Sequence, residues 1–166
     1  MKTFARWIVT AIFGMTLVFA APPQGKGALP AAKDALAGAL RNSVREMLPG
    51  NISHYTFDVR VGPDQFDVIR LHRVVKELTP GQPVRTVNGV LLLPGQPNYF
   101  EAIFMAPLIS KAIASDHSIA LYLAENDVDV WGMDYRWALV PAETTDLNFM
   151  KQWGIAQDSQ DAATAG

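Results

Sequence analysis

Apolar and polar side chains alternate along residues 55–61: Tyr55, Phe57, Val59 and Val61 are separated by Thr56, Asp58 and Arg60. Alternation puts successive side chains on opposite faces of an extended chain, so this run predicts a strand. Gly62-Pro63-Asp64 interrupts it. In the return run Phe66 and Val68 share one face, and the apolar set then switches to Ile69 and Leu71, between Arg70 and His72. Two such runs across a short turn predict an antiparallel β-hairpin at one edge of a sheet, with a bulge near Val68-Ile69 absorbing the switch.

The stretch "GVLLLPGQPNYFEAIF", residues 89–104, has a different pattern. Val90 to Leu93 are apolar without a polar partner, which predicts a strand buried on both faces inside a parallel sheet. Pro94-Gly95 ends it sharply. Residues 115–126 predict a helix, with Ser115 as N-cap, Asp116 in the first turn, an apolar body from Ile119 to Leu123, and Asn126 at a left-handed C-cap. A second strand follows at 128–131 and runs into an exit loop through Trp137. Strand, helix and strand in this order predict a βαβ unit, with 90–93 and 128–131 adjacent and parallel. Upstream, Leu36, Leu40, Val44 and Leu48 recur every four residues and predict a short helix over 32–48, ended by Pro49-Gly50. Residues 21–34, rich in Ala, Pro and Gly, read as a linker. The tail reads as a loop and the beginning of another helix.

The first residues change the picture of where the chain works. Lys2 and Arg6 precede an apolar core from Trp7 to Phe19, and Val18-Phe19-Ala20 offers small residues where a signal peptidase reads. An uncleaved anchor would need about 20 apolar residues to span a bilayer. The expectation is therefore export to the periplasm or beyond, cleavage after Ala20, and no stable membrane span afterwards. Removing 20 of the 166 residues leaves 146, one domain of ordinary size. The leader takes two of the 14 basic residues, leaving 12 against 16 acidic ones, a net charge of −4 with no basic concentration suited to nucleic acid. The absence of cysteine excludes a disulfide framework, a thiolate metal site and a cysteine nucleophile.

In their order, the hairpin, the apolar strand with its Gly turn, the helix, and the strand running into "DVWGMDYRW" resemble the N-terminal part of an α/β-hydrolase of the lipase and esterase type. The resemblance covers residues 54–164. It implies the fold class: an α/β protein, with an antiparallel hairpin followed by a parallel βαβ unit, forming an incomplete α/β-hydrolase sheet. The expected division is a signal peptide at 1–20, a linker and short helix at 21–53, and a partial hydrolase domain at 54–166. In the family a turn after the third strand supplies part of the oxyanion hole, where a backbone N–H stabilises the charge that develops on an attacked ester carbonyl. By position that turn is Pro94-Gly95, with the Gln96 N–H as donor; Pro94 stands where the family has His. The segment that follows often walls the substrate pocket, which here would be Phe100, Phe104, Met105 and Leu108, against an ordinary core role for the same residues. Asp129, Val130 and Trp131 match a strand-exit motif, with Arg136 near the place of its Arg and Trp137 where Gly is common.

The family's nucleophile sits in a Gly-x-Ser-x-Gly elbow, and no Gly-x-Ser occurs in this sequence. His54, His72 and His117 all precede the point where the family's catalytic His would lie. His54 and His72 fall in or beside the hairpin, suited to surface or satisfied polar roles. No two histidines have a helical ligand spacing, so neither a metal site nor a cofactor is expected. Asp134 and Arg136 are candidates to hold the exit loop by a charge-assisted hydrogen bond. No catalytic residue is identifiable. The resemblance implies the N-terminal portion of an exported serine esterase or lipase acting on an apolar ester or acyl substrate, inactive by itself. The alternative is a small periplasmic binding or interaction protein without catalysis.

Overall fold

The computed structural model describes residues 43–86 and 88–165. The expected leader, the expected linker and most of the helix expected over 32–48 lie outside them. Six strands form one sheet: β1 (Val44–Leu48), β2 (Ile52–Arg60), β3 (Val68–Thr79), β4 (Gln82–Pro83), β5 (Asn88–Leu92) and β6 (Val128–Asp134). Their order is β1-β2-β3-β6-β5, with β4 paired to the far end of β3. β1, β2, β3 and β6 pair antiparallel in succession, and β5 pairs parallel to β6. Among the described residues the α-helices are α1 (Phe100–Phe104), α2 (Ala106–Ile109), α3 (Ile119–Glu125) and α4 (Ile155–Ala165).

The βαβ expectation holds: Val90 lies beside Val130 in parallel register, and α3 forms the crossover. Several details differ. Val44–Leu48 is an edge strand, not the end of a helix, so the sheet begins ten residues before residue 54. Gly50, at φ 79°, and Asn51, at φ 59°, make the tight turn that folds β1 back onto β2. This backbone disfavours most side chains and explains the glycine. The hairpin has no bulge at Val68-Ile69, because β3 begins at Val68 and pairs without interruption from Arg60↔Val68 to Ile52↔Lys76. Phe66 belongs to the connection, so its phase carries no strand information. The N-cap of α3 is Ser118, which accepts from the Leu121 N–H; Ser115 opens a 3-10 turn. Asp127, at φ 60°, takes the left-handed position expected of Asn126.

Strand register divides the core into two. Even-numbered residues of β2, β3, β5 and β6 share one face, where Ile52, Val74 and Val130 pack with Phe100, Met105, Ala120, Leu121 and Ala124 under α1 and α3. Odd-numbered residues share the other, where Phe57, Val59, Ile69, Leu71 and Met133 pack together with Ala162 of α4. A Cβ on Gly132 would lie 2.0 Å from the Phe100 ring, so the ring rests directly on the β6 backbone and requires a glycine there. β5 is not buried on both faces: Leu91 remains 39% exposed, and β5 ends the strand order. Pro107 stands in the first turn of α2, the position in a helix that tolerates its missing N–H.

Candidate functional site

At the C-terminal ends of the parallel pair, Leu93 leaves β5 and the chain turns through Pro94-Gly95-Gln96-Pro97. The turn is closed by the Asn98 N–H donating to the Gly95 carbonyl at 2.9 Å. Pro94 is buried, whereas Gly95 and Gln96 are exposed, and the Gln96 N–H takes no part in the turn's own bond. A Cβ on Gly95 would meet nothing within 4 Å, so the glycine leaves open space above the turn and is not demanded by crowding. That space is a hollow of about 550 Å³, walled by Pro94, Gly95 and Gln96, by Tyr135 at the exit of β6, and by Trp153 to Ala162 around α4.

Two polar contacts seat α4 against this hollow. The Gln96 side-chain amide donates to Asp158 at 3.0 Å. Arg136 is buried, and its guanidinium grips Asp161 through Nε and Nη2 at 2.6 and 2.7 Å while its remaining nitrogen reaches Asp67. Asp161 and then Asp67 hold the Arg136 pKa above its ordinary value. Burial, and then the neighbouring Asp161 charge, raise the Asp158 carboxyl. Arg136 therefore clamps the tail and does not pair with Asp134, as the sequence alone suggested. The indole N–H of Trp137, in the place where the family has Gly, is buried without a hydrogen-bond partner among the described residues.

Asp134 faces the opposite side of the sheet. Its Oδ1 accepts the Phe100 N–H at 2.6 Å and its Oδ2 lies 3.0 Å from His72 Nε2. His72 Nδ1 is 2.9 Å from His54 Nε2, and His54 Nδ1 is 4.0 Å from a Glu101 oxygen. Both histidines are buried, and His54 is held at about 4, far below its ordinary 6.5, by burial and then by its proximity to His72. The satisfied polar role fits. The two lie on adjacent strands as diagonal neighbours, since His72 stands opposite Thr56 and His54 opposite Val74, an arrangement that a search for helical spacing misses. His54, His72 and Glu101 offer donor atoms within 4.8 Å of one another. Yet the facing nitrogens of the two rings are joined by one hydrogen bond, so an ion there would have to displace its proton.

The expected pocket wall is not assembled at the turn. Phe100 and Met105 are fully buried in the even-face core, and Phe104 packs against them. Leu108 borders a separate hollow of about 320 Å³ beside Tyr122 and Glu125. Ser159 does line the hollow at the turn, which its sequence setting did not indicate, but its hydroxyl donates to the Ile155 carbonyl at 2.7 Å and no histidine borders the space.

Sheet order, parallel pair and covering helices define an α/β fold that resembles a lipase-like one. A solved structure described as "a putative lipase from Sulfolobus solfataricus" matches with a TM-score of 0.59 and 27% identity, over 74% of this chain and 36% of that chain. The chain thus spans about a third of the length of that protein. No protein-family model matches, and no curated protein matches in sequence.

Proposed function

We propose that this chain is the N-terminal part of an exported carboxylic ester hydrolase of the esterase or lipase type. The observation that carries the reading is the open Gly95-Gln96 turn at the end of a parallel strand, set over a hollow, in a fold shared with a lipase-like neighbour. A carbonyl seated in the hollow would gain negative charge on its oxygen as a nucleophile attacks, and the Gln96 N–H, which takes no part in the turn's own bond, would be its donor. A preorganised backbone donor of this kind supplies about 3–4 kcal/mol of barrier lowering. The chain carries no nucleophile to match: none of its serines lies in a Gly-x-Ser setting, and the Ser159 hydroxyl donates to the Ile155 carbonyl with no histidine bordering the hollow. Turnover by this chain alone is therefore not expected.

The test has two arms. The coding sequence beyond Gly166 should contain a strand followed by Gly-x-Ser-x-Gly. Purified residues 21–166 should leave short and long p-nitrophenyl esters at the buffer rate. Turnover abolished by one Ser→Ala change, Ser159→Ala first, would reveal a nucleophile in this chain and overturn the proposal. Among the described residues no helix is long and apolar enough to cross a membrane. Mass spectrometry of the exported protein tests cleavage after Ala20, and an intact leader would count against it.

A further inference from the structure

The buried Asp134, His72 and His54 belong to no expected role, and their directions of hydrogen bonding can be worked out from one end. A carboxylate only accepts. Asp134 accepts the Phe100 N–H on one oxygen, so the His72 nitrogen that faces its other oxygen must carry a proton. In the neutral form of His72, which has one donor and one acceptor, Nδ1 then presents its lone pair. That lone pair is 2.9 Å from His54 Nε2, which must then be the protonated nitrogen of His54. Every donor in the row points toward Asp134, and the row ends on the bare Nδ1 of His54, facing Glu101.

The row terminates on a backbone group next to the turn. Phe100 is the first residue of α1, and Tyr99 before it supplies no side-chain cap. Its N–H is held by Asp134, its ring stacks on His72 at 4.6 Å, and the same ring lies on Gly132. The segment from Leu93 to Tyr99 is therefore pinned at both ends to β6. Leu92 is paired with Gly132 at one end, and Phe100 is bonded to Asp134, two residues further along the same strand, at the other. We propose that Asp134, oriented by His72 and through it by His54, is a positioning residue for the oxyanion turn, setting where the Gln96 N–H points. This role rests on the ester-hydrolase reading for its purpose, but the positioning itself is a property of this chain.

The test is nuclear magnetic resonance on the full chain. Asp134→Asn keeps an acceptor for Phe100 but turns an amide donor toward His72. Both rings must then reverse their tautomers, which the ring nitrogen shifts report directly. His54→Leu leaves the buried His72 Nδ1 without a donor, and exchange of the hydrogen-bonded amides of Asn98 and Phe100 should quicken about tenfold to a hundredfold while β2, β3 and α4 stay protected. His54→Gln, which returns an N–H donor near the Nε2 position, should restore slow exchange. Unchanged tautomers in Asp134→Asn, unchanged exchange at Asn98 and Phe100 in His54→Leu, or a loosening spread evenly over the sheet would each overturn the proposal. If His54→Leu does not fold, the Asp134→Asn tautomers and the His54→Gln exchange pattern still decide. No ester enters these measurements, so failure of the hydrolase reading and failure of the positioning role are told apart.

Discussion

Acidification should weaken this protein through His54 before any carboxylate pair is lost. The side chain is buried against His72 and Phe100, and burial and then His72 lower its pKa from 6.5 to about 4. Because the folded value lies below the unfolded one, the unfolded chain takes up a proton first. Stability is therefore full above about pH 6.5, falls as pH drops from there toward about 4, and levels off below that value. A displacement of about 2.5 units corresponds to about 3 kcal/mol at 1.36 kcal/mol per unit. That is a sizeable share of a domain stability of about 5–15 kcal/mol. Urea unfolding followed by circular dichroism, at steps from neutrality to about pH 4.5, measures it. His54→Gln cannot titrate there, so by about pH 4.5 the wild-type curve should have fallen about 2.5 kcal/mol more than the variant's. Glu101, facing His54 from α1, can stabilise the charged ring and reduce the difference, which Glu101→Gln would then enlarge. Parallel wild-type and His54→Gln profiles would refute the reasoning, because a buried neutral histidine must show this slope.

Three further outcomes follow from other contacts. Gly132→Ala sets a Cβ into the Phe100 ring and should cost about 1–3 kcal/mol in the urea midpoint; an unchanged midpoint would mean that the ring moves aside freely. Arg136→Ala leaves Asp67 and Asp161 buried side by side and should cost about 3–5 kcal/mol, with hydrogen exchange in α4 rising first; unchanged protection over 155–165 would contradict the clamp. For Glu77, burial would raise the carboxyl, but hydrogen bonds from Arg45 and Tyr55 outweigh that and hold it at about 2 against an ordinary 4.5. Its contribution is present above pH 4.5 and lost as pH falls through about 2, so Glu77→Gln should flatten the acid limb below the His54 window and leave the slope above it intact.

The hairpin, the parallel pair and the crossover helix were legible because burial of one face or one stripe imposes a period on the residues themselves. Tyr55, Phe57 and Val59 alternate, and Ile119 to Leu123 are bounded by polar ends. What escaped was decided by tertiary context. Val44 and Leu48 fit a helical stripe equally well, and only pairing with β2 makes them a strand. Val90 to Leu93 look doubly buried, yet β5 ends the strand order and keeps Leu91 open. His54, His72 and Asp134 stand far apart in sequence, and no local period links them. Their meeting depends on the register in which Thr56 faces His72, and that register was obscured by taking Phe66 as part of the return strand. Trp153 and Asp158, which wall the hollow, lie in a tail whose position depends on Arg136 reaching Asp161 across the sheet.

The two faces of the sheet then act on one turn by independent means. From the even face, Asp134 fixes the backbone at Phe100. From the odd face, α4 reaches the Gln96 side chain through Asp158 and is itself anchored through Asp161 by Arg136. Asp134 and Arg136 are two residues apart on the same exit of β6, and their side chains leave in different directions to do this. The first contact is buried and fixes the peptide at Phe100, where the turn that would carry the oxyanion donor ends. The second is exposed at Gln96 and constrains the wall opposite. Loss of α4 docking should therefore open the hollow without moving the Gln96 N–H, whereas loss of the Asp134 contact should move that N–H and leave the wall in place. Under the proposed reading, a site built in this way would separate donor placement from access, so that the hollow could admit a ligand while its backbone donor stays fixed.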